Sequence, residues 1–181
     1  MHSYSFSNKT IHSYLDIPLL SKAKNRLVRD ILISKNDDLP IPKISNNQKS
    51  FYSANLKNIS IFFKDVAVIR ITERGSLIEI KELTNLSNNF FFFNKLLNHI
   101  IPYAIYQSGG IDLHSSSISC CQKGILFLGK SGSGKSSLSA SFKDCKFISE
   151  DSISISINER VLGYPSYPYA KLSTEIAKEL N

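Results

Sequence analysis

The chain has 181 residues, of which 42% are hydrophobic, so it can bury the core of one ordinary domain with at most a small N-terminal extension. Its net charge of +7 suits an anionic ligand or an acidic partner, but the basic residues are scattered, so we expect no nucleic-acid partner. No apolar run reaches the roughly 18 residues of a membrane span, and the N-terminus lacks a secretory pattern, so we expect a cytoplasmic protein without membrane association.

The first half of the chain predicts mainly β-structure. Residues 27–33 are a plausible strand, and residues 37–50, which contain two prolines and an Asn-Asn pair, are typical of a loop or linker. Residues 59–63, 66–72 and 77–81, with a turn at 73–76, predict a meander. We expect residues 1–50 to form N-terminal strands and a linker that pack on a main domain of residues 51–181, with disorder only in the first few residues and the linker.

An apolar segment from residue 90 to residue 105 predicts a helix. The apolar positions 93, 96, 97, 100, 101 and 104 have the spacing of one buried helix face. Pro102 is expected to kink this helix, and the pair Gly109-Gly110 is expected to end it. The prediction is therefore a core helix, and the alternative is a helix that lines a partner-binding groove.

Residues 129–136 read Gly-Lys-Ser-Gly-Ser-Gly-Lys-Ser and match the phosphate-binding pattern G-x-x-x-x-G-K-[ST]. The apolar run 125–128 precedes them as a strand would. Glycines let the backbone N–H groups surround a phosphate, Lys135 would reach the β- and γ-phosphates, and Ser136 would ligate Mg²⁺. A glycine-rich turn before a surface helix is the alternative. The residues expected around the nucleotide are Gly129, Ser131, Gly132, Ser133, Gly134, Lys135, Ser136 and Ser137.

Glu150 and Asp151 follow a short apolar strand, 15 and 16 residues after Lys135. Carboxylates beside such a loop can hold Mg²⁺ or accept a proton from a hydroxyl. Because neighbouring residues of a strand point to opposite faces, we assign Asp151 to Mg²⁺ and Glu150 to the role of base, with the reverse as an alternative. An exposed acidic strand end without a catalytic role is the other alternative.

The three cysteines, at positions 120, 121 and 145, have neither the spacing of a metal site nor that of a disulfide framework. This usage is typical of a reducing cytoplasm.

Together these features resemble HPr serine kinase and its relatives, which have a phosphoenolpyruvate-carboxykinase-type nucleotide fold. In that group an LHAS-like strand, a tight turn, the loop and an SDD strand follow one another. This chain has Leu113-His114-Ser115-Ser116, a turn at 122–124, the loop and Ser149-Glu150-Asp151. Residues 163–172 resemble the family's GYPxxxL stretch. The resemblance covers about residues 110–172.

The resemblance implies an α/β fold with a mixed β-sheet and a P-loop of this type, preceded by a β-rich N-terminal region. It also implies ATP as the nucleotide and a site-facing His114, for which a hydrogen-bonded structural histidine is the alternative. It leaves a homo-oligomer open because relatives assemble into rings. Two features depart from the family. Glu150 stands where relatives have their first aspartate, and the arginine-containing segment tied to phosphorylase activity has no counterpart.

The expected function is therefore an ATP-dependent serine kinase that acts on a small protein or peptide. Its candidate catalytic residues are Glu150, Asp151, His114 and Lys135. The alternative is a nucleotide-binding regulatory or assembly module without transfer activity, which the Glu150 substitution favours. A small-molecule or carboxykinase-like enzyme is a third hypothesis, but the sequence contains no substrate motif for it.

Overall fold

The computed structural model describes residues 1–24, 30–45, 47–55, 57–157, 159 and 161–165. It is a mixed α/β structure in which strands predominate, with 44% of the described residues in strands and 18% in helices. The chain divides into two compact units. Unit 1 comprises Met1–Ser5 and Lys9–Gly109, and unit 2 comprises Phe6–Asn8 and Gly110–Asn181. The boundary expected near residue 50 is replaced by one after Gly109, because strands on both sides of residue 50 belong to the same sheet.

Unit 1 is built on an eight-stranded sheet with the strand order β3-β1-β2-β4-β8-β7-β6-β5. Strand β4 pairs in parallel with β2 and β8, and β5 to β8 form an antiparallel meander. The strands are β1 (His2–Phe6), β2 (Lys9–Ser13), β3 (Ser21–Lys22), β4 (Ile31–Lys35), β5 (Ser50–Ala54), β6 (Ile59–Phe63), β7 (Ala67–Thr72) and β8 (Leu77–Glu82).

The meander expected from residue 59 to residue 81 is confirmed as β6, β7 and β8. The strand expected at residues 27–33 corresponds to β4, although residues 27–29 lie outside the described part of the chain. The expectation of disorder in the first residues is wrong. Strand β1 starts at His2, and the fully buried Tyr4 fixes it to the core of unit 1.

The segment between β4 and β5 packs on the sheet as a loop and is not a linker between domains. Leu39 from this segment is buried against Phe62 of β6 and Val68 of β7, and Ile44 extends the same apolar cluster. Burial of these side chains compensates for part of the entropy lost by ordering a proline-containing loop.

The expected apolar helix forms in three consecutive segments. These are α1 (Phe90–Lys95), a π-helical turn (Leu96–Ile100) and α2 (Ile101–Gln107), with Pro102 in the first turn of α2. The apolar positions from 93 to 104 are buried, which confirms the predicted core face. No helix in the described part of the chain is long and apolar enough to cross a membrane.

Unit 2 contains two antiparallel three-stranded sheets, with the strand orders β11-β10-β12 and β14-β13-β9. Among the described residues β11 is an edge strand, and its Ile125 and Leu128 side chains are exposed. Of the GYPxxxL-like stretch at 163–172, only residues up to 165 are described. The elements are β9 (Ile111–Leu113), β10 (Ser115–Cys120), β11 (Lys123–Leu128), α3 (Lys135–Ser141), β12 (Lys146–Ser149), β13 (Ile153–Ile157) and β14 (Val161–Pro165).

The cysteines differ from the sequence-based expectation, because Cys120 and Cys145 form a disulfide while Cys121 is free and exposed. Cys120 ends β10 and Cys145 precedes β12. These two strands are hydrogen-bonded neighbours, which brings the two Cα atoms to 4.9 Å, within the range that a disulfide spans. The 25-residue separation in sequence gives no sign of this proximity.

Candidate functional site

The glycine-rich segment forms a loop between the end of β11 and the first residue of α3. Gly132 and Gly134 have φ values of +79° and +81°, a region that only glycine enters at little cost. At Gly129 a Cβ atom would lie 2.7 Å from Oγ of Ser133. Gly132 and Gly134 therefore have a conformational reason for their positions, whereas at Gly129 the close atom is the end of a serine side chain that can rotate.

The side chain of Lys135 folds back over this loop. Its Nζ donates to the carbonyl oxygens of Gly129 at 3.0 Å and Lys130 at 3.1 Å. The ammonium group is therefore held at the mouth of the loop, where it would neutralise an anion. Lys130 itself is exposed, as expected for a residue that faces solvent.

Glu150 and Asp151 lie just beyond the end of β12, in an acidic turn that we define as residues 150–152. Asp151 has a φ of +66°, and the backbone N–H of Ser152 donates to the carbonyl oxygen of Glu150 at 2.8 Å. The two carboxylates consequently do not alternate as in a strand, and both line the same cleft. The geometric reason given for separating their roles is therefore wrong.

Glu150 contacts the loop directly. The Oγ of Ser136 donates to Oε1 of Glu150 at 2.5 Å, and Glu150 is only 5% exposed. The longer glutamate side chain thus spans from the acidic turn to the hydroxyl that the loop motif assigns to Mg²⁺.

His114 is hydrogen-bonded to the backbone of the acidic turn. Its Nδ1 lies 2.8 Å from the carbonyl oxygen of Asp151. A carbonyl oxygen can only accept, so Nδ1 carries the proton and Nε2 is an acceptor while the ring is neutral. His114 therefore orients the backbone of the acidic turn and does not contact either carboxylate in this hydrogen bond.

These residues lie close together because the strand pair β9–β13 and the strand pair β10–β12 end at the same point of the chain's path, next to His114 and the acidic turn. At His114 the chain passes from β9 in one sheet to β10 in the other, and at the acidic turn it passes from β12 to β13. Leu113 pairs with Ile153 on one side of this point, and Ser117 pairs with Ser149 on the other. This interruption of the strand pairing opens a cleft at the junction of the two sheets.

The cleft has a volume of about 290 Å³, near the lower end of the range of small-molecule sites. It contains all of the predicted site residues except Gly129 and Ser133, which belong to the loop but do not line the cleft. The lining residues are His114, Ser116, Ser131, Gly132, Gly134, Lys135, Ser136, Ser137, Glu150 and Asp151.

Sequence reasoning missed two residues of this region. Ser116 lies two positions after His114 in the chain, and its hydroxyl bonds to that of Ser139, whose own hydroxyl donates to the carbonyl oxygen of Ser136. The sequence signal for Ser116 was its position two residues after His114, because alternate residues of an extended segment share a face. Asp112 is buried beneath the acidic turn, and nothing in the local sequence identifies it.

The side chains around the cleft supply oxygen donors of the kind that could help to hold a magnesium ion. Among the described residues no group of three or more His, Cys, Asp or Glu side chains could hold a metal ion. Mg²⁺ commonly takes one or two carboxylates and completes its shell with water and substrate phosphates. The hydroxyl of Ser136 and the carboxylates of the acidic turn are oxygen ligands of that kind.

Comparison of this chain with protein-family models, with curated proteins and with solved structures returned no match.

Proposed function

We propose that unit 2 binds a nucleoside triphosphate, ATP by resemblance, together with Mg²⁺. The observation that carries this proposal is the convergence of Lys135, Ser136, Glu150 and Asp151 on one cleft beside a glycine loop. A lysine, a hydroxyl and two carboxylates are the groups that phosphate neutralisation and magnesium ligation require. A glycine-rich turn before a surface helix does not account for the contact that the buried Glu150 makes with Ser136.

Within this proposal Ser136 and Glu150 face the magnesium position. The 2.5 Å contact between them supports the reverse of the assignment drawn from strand alternation. Mg²⁺, when bound, would neutralise charge on the phosphate oxygens. Lys135 would exchange its two carbonyl partners for phosphate oxygens.

We further propose that the chain transfers the γ-phosphoryl group to a serine of a small protein or peptide. Asp151 is half-buried and lines the cleft beside Lys135 and Ser136, so it is the candidate base. Its carboxylate would accept the proton of the serine hydroxyl as the oxygen bonds to the γ-phosphorus and the bond to the β-phosphate oxygen breaks. His114 would hold the backbone of Asp151 in position during this step.

A second function is a nucleotide-binding regulatory or assembly module without transfer. The specific observation in its favour is that Glu150, which replaces the first aspartate of the resembled family, is buried and bonded to Ser136. In that state Glu150 is not available to an acceptor hydroxyl.

Calorimetric titration with ATP and Mg²⁺ tests the binding proposal. Lys135→Ala should lower the affinity at least about 10-fold, since hydrogen bonds to charged groups contribute about 1.5–3 kcal/mol. Lys130→Ala is the matched control, because that lysine lies in the same loop but outside the cleft lining. Unchanged affinity in a folded Lys135→Ala protein would overturn the proposal.

Transfer from radiolabelled ATP separates the two functions. The acceptors offered should be proteins and peptides encoded beside this chain. Labelling of a serine supports the kinase, whereas ATP binding without labelling of any acceptor supports the regulatory module.

A further inference from the structure

Asp112 is a buried carboxylate that the proposed chemistry does not use. It lies in β9 directly opposite Ser154 of β13 and is 4% exposed. Burying a carboxylate costs free energy unless hydrogen bonds satisfy its oxygens. An apolar residue at this position would avoid that cost. The hydrogen bonds of the Asp112 carboxylate therefore indicate its role.

Each oxygen of Asp112 accepts from a different serine, one in the acidic turn and one in β13. Oδ2 accepts from Oγ of Ser152 at 2.6 Å, and Oδ1 accepts from Oγ of Ser154 at 2.8 Å. Both serines are almost completely buried, with exposed fractions of 2% and 4%. The carboxylate therefore joins β9 to β13 at the point where β13 leaves the acidic turn.

Ser152 links the Asp112 carboxylate to the acidic turn of the candidate site. Its N–H donates to the carbonyl oxygen of Glu150 at 2.8 Å, and its own carbonyl oxygen accepts from Oγ of Ser149 at 2.7 Å. With Ser149 fixed at the end of β12 and Ser152 fixed by Asp112, the two acidic residues between them have little freedom. Asp151 also occupies the left-handed region, which for a residue other than glycine needs support from its surroundings.

We infer that Asp112 is a positioning residue, which holds the acidic turn so that Glu150 meets Ser136 and the carbonyl group of Asp151 meets His114. This inference rests on the proposed nucleotide site. Asp112 does not line the cleft, so it acts through Ser152 and not by contact with the nucleotide.

The test compares Asp112→Ala and Asp112→Asn with Asp144→Ala, an exposed aspartate of the same unit, as the control. The first measurement is amide hydrogen exchange without any ligand. In Asp112→Ala, exchange in a peptide covering 147–155 should accelerate at least about 10-fold, while a peptide covering 123–142 keeps its protection. Asparagine should restore protection, because its amide oxygen can accept from one serine and its amide nitrogen can donate to the other.

The second measurement is ATP affinity with and without Mg²⁺. Asp112→Ala should keep its affinity for ATP alone within about 2-fold, because Lys135 and the loop are unchanged, but should lose most of the increase that Mg²⁺ gives to the wild-type chain. A residue with a merely structural role would lower both affinities together.

Two results would overturn the inference. One is full protection of the 147–155 peptide in Asp112→Ala, and the other is equal loss of protection in both peptides. If Asp112→Ala does not fold, Ser152→Ala removes only the link to the acidic turn and should show the same selective exchange. If the wild-type chain binds no ATP, the proposed function fails while the exchange measurement still decides whether Asp112 positions the turn.

Discussion

The contact between Ser136 and Glu150 determines how the two carboxylates should differ. Glu150→Gln keeps an oxygen that can accept from Ser136 but removes the charge next to the magnesium position. We therefore predict that Glu150→Gln reduces the Mg²⁺-dependent gain in ATP affinity by about 10-fold, equivalent to about 1.4 kcal/mol, and that Asp151→Asn reduces it less. Calorimetry with and without Mg²⁺ measures both effects. A larger effect of Asp151→Asn would restore the assignment based on alternation.

The rate of phosphate transfer tests the proposed role of Asp151 as the base. If the chain transfers phosphate, Asp151→Asn should lower the rate on the order of 100-fold, in line with the contribution of a positioned base, while ATP affinity changes little. Single-turnover transfer to a labelled acceptor measures the rate. Transfer at the wild-type rate would exclude Asp151 as the base.

The pH dependence of stability should report the burial of Asp112. Burial raises the pKa of Asp112, while hydrogen bonds from Ser152 and Ser154 and the charge of His114 act in the opposite direction. A carboxyl with a higher pKa in the folded state favours folding below its unfolded pKa, and this contribution is lost as pH rises through the folded pKa. Relative to Asp112→Asn, the wild-type chain should lose stability as pH rises from about 4. Urea unfolding at several pH values checks this, and the opposite slope would contradict it.

At the residue scale, the sequence identifies those candidate site residues that lie together in one short segment. The loop residues from 129 to 137 are recognisable because phosphate binding requires glycines, lysine and a hydroxyl at fixed spacing. The contact of Ser116 with α3 and the contacts of Asp112 with Ser152 and Ser154 depend on which elements become neighbours, and local sequence does not encode this. The error about Glu150 and Asp151 has a similar origin, because a turn with a left-handed residue replaced the assumed strand.

Among the elements, the close approach of α2 to the turn before β8 depends on one glycine. Gly75 has a φ of +86°, and a Cβ atom there would lie 1.9 Å from the carbonyl oxygen of Ala104. Gly109 has a similar φ of +81°, but nothing lies within 4 Å of its Cβ position.

Gly75→Ala should therefore destabilise unit 1 by about 3 kcal/mol or more, and Gly109→Ala by only about 1–2 kcal/mol, the cost of the left-handed conformation. Urea unfolding of the two variants measures the difference. Equal costs would show that α2 can move away from the turn without loss.

The spacing of apolar residues predicted which face of each element is buried better than it predicted which strands pair with one another. The meander and the buried face of the helix both followed from the spacing of apolar residues. The parallel pairing of β4 with β2 and β8 did not, because an alternating pattern specifies a face of a strand and not the identity of its neighbour.

For the molecule as a whole, the division into units was misplaced because a proline-containing loop was interpreted as a linker. Residues 37–50 have the composition of a loop or linker, but Leu39 and Ile44 pack on the sheet in one apolar cluster with Phe62 and Val68. Composition measures the tendency to form a loop, whereas burial of a few side chains decides whether that loop separates two domains.

The disulfide should matter for the stability of unit 2. Cys120 and Cys145 enclose the glycine loop and α3, and closing a loop of this length stabilises a fold by about 3 kcal/mol. We predict that Cys145→Ser lowers the free energy of unfolding of unit 2 by about that amount under oxidising conditions and has no effect in the presence of a reductant. Cys121→Ser is the control and should be neutral under both conditions. A stability of wild-type unit 2 that does not respond to reductant would contradict the prediction.

The exposed edge strand β11 has a consequence for how the protein behaves in concentrated solution. Within the described residues, Ile125 and Leu128 present exposed apolar side chains on opposite faces of this edge strand, whose outer backbone groups can pair with another chain, and aggregation starts from such an arrangement. Lys123 at the beginning of the strand and Lys130 just beyond its end place positive charges at both ends of it. Their repulsion opposes the approach of a second copy, and added salt screens it. The chain should therefore remain dispersed longest in dilute buffer and precipitate first at high ionic strength.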